Sequence, residues 1–186
     1  LRQRSVGRLE NYPVDIQMVA GCRTLVQRLI HAESSDRIAF FPSTTDALNV
    51  VASGIPWRTG DHVLSNTIEF PANVYPYLNL KRQGVELDSV HSRDGRVTPG
   101  MIRDAITPRT RLVTLSAVQF LSGYRADLAA IGELCRSKGI IFAIDGIQAV
   151  GAVQIGVQAM KIDALAAGAQ KWQMSPHGSG FLYITE

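Results

Sequence analysis

Two residues of this 186-residue chain stand where α/β proteins place their chemistry. The apolar run Ile140 to Ile144 stops abruptly at Asp145, which reads as a buried strand delivering one carboxylate to its C-terminal edge. A second short apolar strand, Asp163 to Ala167, runs into Gly168-Ala169-Gln170 and then a lone lysine, Lys171. The C-terminal edge of an open α/β sheet is where ligands gather. An amine held there in a partly desolvated cleft has its ammonium form disfavoured and can attack an aldehyde. Each residue also has a plainer reading. Lys171 reads equally as a solvated surface lysine, and Asp145 as the N-cap of a helix opening at Gly146, with a helix-sized gap before the next strand.

A third candidate is the turn Pro42-Ser43-Thr44-Thr45-Asp46, between the short strand Arg37 to Phe41 and the apolar stretch Ala47 to Ala52. Hydroxyl residues at a helix start cap its free backbone N–H groups. The same N–H groups, the helix dipole and two hydroxyls can hold a phosphate. Phe70, just past the Asp61 to Ser65 strand, is either a core aromatic or a face against which a flat ring stacks.

The elements that must position these residues alternate along the chain. Val14 to His31 carries apolar residues at three- and four-residue spacings and predicts an amphipathic packing helix. A helix is expected from about Ala72 through Lys81, and strands at Val85 to Val90 and Arg111 to Ser116. Asp94-Gly95 marks a turn, Thr98-Pro99 opens a helix to Ile106, and Asp127 caps a helix through Cys135. Strands alternating with helices argue for an α/β fold, a mostly parallel sheet covered on both faces. No repeat, linker or low-complexity segment interrupts it, so one domain spanning 1–186 is expected.

Composition narrows the classes. The apolar fraction is 46%, the charged fraction 19% and the net charge +3, the balance of an ordinary globular domain. The basic residues, among them Arg2, Arg4, Arg8, Lys81, Arg82, Arg109 and Arg111, are scattered, which argues against nucleic acid as a partner. Cys22 and Cys135 lack metal spacing and read as buried thiols, which fits a reducing, cytoplasmic compartment. His31, His62, His91 and His177 show no metal spacing and read as surface or loop residues. No apolar run is long enough to span a bilayer, so no membrane partner is expected. The chain opens on Leu1 and closes on Glu186 just after a strand, which suggests an excised domain.

Asp145-Gly146-Ile147-Gln148-Ala149-Val150-Gly151, Lys171-Trp172 and Pro176-His177-Gly178-Ser179-Gly180-Phe181-Leu182-Tyr183, in that order and strand context, resemble the class V aminotransferase family. Its members depend on pyridoxal 5′-phosphate (PLP) and include cysteine desulfurases and isopenicillin-N-epimerase-like enzymes. The resemblance runs from about Ile38 onward and implies the large, cofactor-binding domain of fold type I, a three-layer α/β/α architecture, without the family's C-terminal small domain. It implies that Lys171 forms the Schiff base with PLP and that Asp145 keeps the pyridine nitrogen protonated. Gln148 would reach the ring hydroxyl, Gln119 a neighbouring position, Phe70 the ring face, and Thr44 and Thr45 the phosphate.

Two departures stand out. Gly168 and Gln170 replace the Ser and His that many relatives carry before the lysine, removing a phosphate hydroxyl and exchanging an imidazole for an amide. The expected substrate is an amino acid or related amine, and the expected assembly a homodimer whose partner completes the phosphate site. Transamination, elimination, epimerisation and desulfuration all remain open, and neither Cys22 nor Cys135 has the loop setting of a desulfurase nucleophile. The alternative from another class is a non-catalytic α/β domain binding a phosphorylated ligand, or an inactive PLP-fold protein. A nucleotide-dependent oxidoreductase is disfavoured because no GxGxxG follows the first strand.

Overall fold

The computed structural model describes residues 12–186. Arg2, Arg4 and Arg8 lie outside the described residues. Each apolar run read as a strand forms one, displaced by at most a residue or so: β1 Ile38–Phe41, β2 His62–Asn66, β3 Glu86–Val90, β4 Thr110–Ser116, β5 Ile141–Asp145, β6 Ala164–Gly168 and β7 Gly180–Ile184. They build one sheet of seven strands in the order β1-β7-β6-β5-β4-β2-β3. β2, β3, β4, β5 and β6 run parallel, while β7 is antiparallel to both of its neighbours, β6 and β1. The C-terminal ends of β1, β2, β4, β5 and β6 therefore share one edge, and the start of β7 joins them.

Alternation along the strands sends side chains into two apolar layers. Val113, Leu115, Phe142, Ile144, Leu165, Phe181 and Tyr183 pack on one face, with Ile102, Leu128, Ile131 and Cys135 above them. Those cover residues come from α4 (Pro99–Ala105) and α5 (Leu128–Lys138). On the opposite face Leu112, Ala143, Ala164, Ala166 and Leu182 meet Ala47, Leu48, Val51 and Ala52 of α2 (Thr44–Gly54), together with Tyr77 and Leu80. Asp145 and Gly168 fall on this second face by the same period of two.

The helix starts follow the expected chemistry. Thr98 Oγ1 accepts the Met101 N–H at 3.4 Å and Asp127 Oδ1 that of Ala130 at 3.0 Å, while Asp94 and Gly95 both take positive φ in their turn. At α2 the cap is Ser43, which accepts the Asp46 N–H at 3.1 Å and donates to the Asp46 carboxylate at 2.6 Å.

Four local expectations are corrected. The helix expected through Lys81 is a relay of short turns, a 3-10 turn Pro71–Asn73, α3 Tyr75–Leu78 and a 3-10 turn Asn79–Gln83, because Pro76, inside the expected helix, has no N–H to give the Ala72 carbonyl and its ring would clash with it. The β5–β6 crossover holds only turns, so Asp145 caps no helix; its Oδ1 accepts the Ile147 N–H at 3.0 Å within a tight turn. Cys135 is buried as expected but Cys22 is exposed. His62 is a strand residue whose Nδ1 lies 2.6 Å from Asp88 Oδ2 rather than a loop residue. The first helix, α1 (Tyr12–Ile30), keeps its place, yet Ile16, Met18, Leu25 and Leu29 on it are exposed and only its C-terminal end, through Val26 and Ile30, enters the core.

Candidate active site

Asp145 ends β5 opposite Ser116 of β4, and its main-chain oxygen accepts the Ala117 N–H at 2.9 Å. The side chain is 1% exposed. Oδ1 is used by Ile147, whereas Oδ2 is buried without a hydrogen-bond partner among the described residues. Burial pushes this carboxyl up to about 7, helped by the nearby charge of Glu69 and opposed by the Ile147 N–H and the Lys171 ammonium. A buried carboxylate oxygen with nothing to accept from costs stability, so the position asks for a donor.

Three further candidates lie around it. Lys171 is exposed, not partly desolvated as the sequence led us to expect, and its Nζ sits 6.0 Å from the centroid of the Phe70 ring. Phe70 is half exposed and braced edge-on by Phe120, with ring centroids 5.1 Å apart and planes at 81°. Neither aromatic is a core residue. Gln119 is fully buried, with Nε2 donating to Glu69 Oε1 at 2.7 Å and Oε1 unpartnered among the described residues.

The phosphate-type turn also reaches this edge. Thr44 is buried, and its Oγ1 accepts the Gly168 N–H at 2.8 Å, which ties the first turn of α2 to the end of β6. The space beside this glycine is taken: a Cβ on Gly168 would lie 2.5 Å from Gln170 Oε1, the far end of a flexible side chain, and 3.1 Å from Thr44 Oγ1. The side chains of Thr44 and Gln170 thus fill the space a serine would occupy. Thr45, one residue further into α2, is exposed. Gln148 is partly buried in the turn after Asp145.

Sequence reasoning missed Glu69. Its buried carboxylate accepts Asn66 Nδ2, the Ser116 N–H and Gln119 Nε2 on Oε1, each at 2.7 Å, and Ser116 Oγ at 2.6 Å and Asn73 Nδ2 at 3.2 Å on Oε2. One signal was available, a lone carboxylate between Ile68 and Phe70 immediately past a buried strand. Among the described residues no group of His, Cys, Asp and Glu could hold a metal ion.

With an acid, an amine, a ring face and a capped helix start at one sheet edge, comparison with known proteins becomes informative. The family model for aminotransferase class-V matches residues 5–186. The chain belongs to the class V aminotransferase family. Class V relatives include a probable cysteine desulfurase of Methanothermobacter thermautotrophicus, 36% identical over 153 residues, covering 82% of this chain and 38% of that protein. Cysteine desulfurase IscS of Pseudomonas fluorescens is 34% identical over 173 residues, covering 91% of this chain and 42% of its own length. The chain therefore spans about two fifths of the length of these curated relatives. Among solved class V-like structures, the apo cysteine desulfurase from Thermococcus onnurineus NA1 superposes with a TM-score of 0.85 at 26% identity, over 90% of this chain and 42% of that one. The mostly parallel sheet flanked by helices is the fold type I architecture.

Proposed function

We propose that residues 1–186 are the cofactor-binding large domain of a PLP-dependent enzyme that acts on an amino acid. The observation that carries this reading is Asp145 Oδ2, a buried carboxylate oxygen with no partner among the described residues, at the sheet edge that also holds Lys171 and Phe70. A protonated ring nitrogen supplies the donor this oxygen lacks. When bound, PLP withdraws electrons from the substrate Cα and so weakens the bonds to it.

The residues of the chain then take separate tasks. Asp145 would accept from a protonated ring nitrogen and so hold the proton there. Lys171 would hold the cofactor through its amine and would move a proton to or from the substrate. Phe70, braced edge-on by Phe120, would flank the cofactor ring, and Gln148, Gln119 and Gln170 would supply polar contacts around that ring. Thr44 and Thr45, with the free N–H groups opening α2, would bind the phosphate. The hydroxyl proton of Thr44 remains available for this, because its oxygen accepts from Gly168 without donating to it.

The relatives are named cysteine desulfurases, which supports an amino acid as substrate, cysteine included. Cys135 cannot be the nucleophile of such a reaction, since burial pushes its thiol up to about 12, and Cys22 lies on α1 rather than at the strand edge. A homodimer is part of the proposal, because Gly168 brings no hydroxyl of its own to the phosphate. A cytoplasmic site of action fits as well; no helix among the described residues is long and apolar enough to cross a membrane.

Borohydride reduction of the full-length protein loaded with PLP, followed by peptide mapping, tests the assignment. A phosphopyridoxyl group is expected on Lys171. Labelling at Lys81, Lys138 or Lys161 instead, or no labelling at all, would refute it.

A further inference from the structure

Glu69 is the most heavily bonded side chain at the site, yet none of these hydrogen bonds goes to Lys171, Asp145 or Phe70. All five of its partners are donors. One of them, the Ser116 main-chain N–H at 2.7 Å from Oε1, can only donate. An oxygen already receiving that N–H and Asn66 Nδ2 must receive from Gln119 as well, so Gln119 has to bring its NH2 end. Turning the amide over would set carbonyl oxygen against carboxylate oxygen at 2.7 Å. The chemistry of Glu69, rather than packing, thus decides which way the Gln119 amide lies. Its Oε1 is turned away from Glu69, buried and unpartnered among the described residues.

The same carboxylate braces the neighbouring strand end. Through the N–H and Oγ of Ser116 it grips the last residue of β4, which is the register partner of Asp145. Through Asn73 it reaches Thr114, whose Oγ1 donates to Asn73 Oδ1 at 2.7 Å. The ring of contacts closes without using Gln119 Oε1 or Asp145 Oδ2. These two oxygens are what the network leaves facing no donor.

We propose that Glu69 is a positioning residue that locks the Gln119 amide, so that Gln119 meets the bound ligand as a hydrogen-bond acceptor and selects a ligand carrying an N–H or O–H donor there. The cofactor or amino-acid group that fits is protonated at that point, as an ammonium, an iminium or a phenol is. An anionic oxygen there would face a second oxygen and be repelled. The identity of the ligand rests on the PLP reading, whereas the lock on Gln119 does not.

The test uses the full-length protein and four variants, E69Q, E69M, Q119M and E69M/Q119M. Glutamine at 69 keeps a carbonyl able to accept from Gln119 and Ser116, with its new amide opposed only by the longest contact, to Asn73. PLP dissociation constants from fluorescence quenching should rise tenfold or more for E69M. They should change less than threefold for E69Q, and less than threefold when E69M is added to Q119M. An equal loss in both backgrounds would make Glu69 a support of the fold alone, and no loss for E69M would remove its role; either overturns the proposal.

Proton exchange of glutamine side-chain amides, in protein labelled at glutamine Nε, separates this from the cofactor reading. The Gln119 pair should exchange slowly in the parent and in E69Q and quickly in E69M, whether or not PLP binds. A parent that takes up no PLP but keeps the slow pair would defeat the cofactor assignment and leave the lock standing. Equally fast exchange in parent and E69M would defeat the lock itself.

Discussion

Asp145 pays for its position in the absence of a ligand. Its carboxyl, pushed from an ordinary 3.8 up to about 7, holds a proton in the folded cofactor-free protein that the unfolded chain has already released. Between those two values the folded state binds more protons, so stability falls as pH rises from about 4 to about 7 and stays low above it. The loss is on the order of a few kcal/mol. D145N removes the titrating group, and urea unfolding of the cofactor-free protein should then show a flatter dependence across that window. The same variant should retain PLP yet lose about two powers of ten in turnover, roughly 3 kcal/mol, because an amide cannot hold a proton on the ring nitrogen. An unchanged pH slope, or normal turnover, would contradict the role given to this carboxylate.

At the scale of elements, close backbone approach explains a glycine that helix propensity disfavours. Gly132 lies in the middle of α5, where an added Cβ would come within 1.9 Å of the Met160 carbonyl oxygen. Alanine there should destabilise the protein by roughly 2 kcal/mol or more despite its better helix propensity. Thermal unfolding of G132A would register this as a clear fall in Tm, and an unchanged or higher Tm would mean that the turn at Met160 yields.

Elements such as β5 and α5 were readable because their signals are local. An apolar run ending in Asp145, or Asp127 before Leu128, carries its meaning within a few residues. The Glu69 network was not readable, since its partners Ser116 and Gln119 are 47 and 50 residues away. The absence of a helix between β5 and β6 was hidden for a similar reason. Residues Ala149, Val150, Ile155, Val157 and Ile162 have helix-like apolar content, but they pack as turns against the core. Thr44 was readable as a hydroxyl at a helix start, whereas its grip on Gly168 depends on strand order, which local pattern does not encode.

For the whole molecule, the conspicuous feature is the uncovered flank of α1. Val14, Ile16, Met18, Val19, Leu25 and Leu29 are exposed together on one helix, and a cavity of about 760 Å³ between α1 and the sheet is lined by Met18, Val19, Phe40, Phe41 and Phe181. Neither Asp145 nor Lys171 lines it, although Pro42, Ala169 and Gly180 at its rim belong to the same sheet edge. Apolar surface of this extent promotes association. Residues 1–186 expressed alone should bind a hydrophobic dye and grow in light scattering with concentration, and I16E/L25E should reduce both. A chain that stays monodisperse and dye-free at high concentration would show that the flank is covered from within.

The antiparallel seat of β7 also has a consequence in time. Among the described residues β1 has no sheet neighbour other than β7, with Phe41 paired to Gly180. A ribosome therefore releases β1 early but cannot dock it until nearly the whole described chain has emerged. Contacts so distant in sequence close slowly. Since only Pro42 separates Ser43 and Thr44 from β1, the turn that opens α2 is among the last parts of the domain to be assembled, and until then Asp145 and Lys171 wait at a sheet edge that lacks the turn proposed to anchor a phosphate.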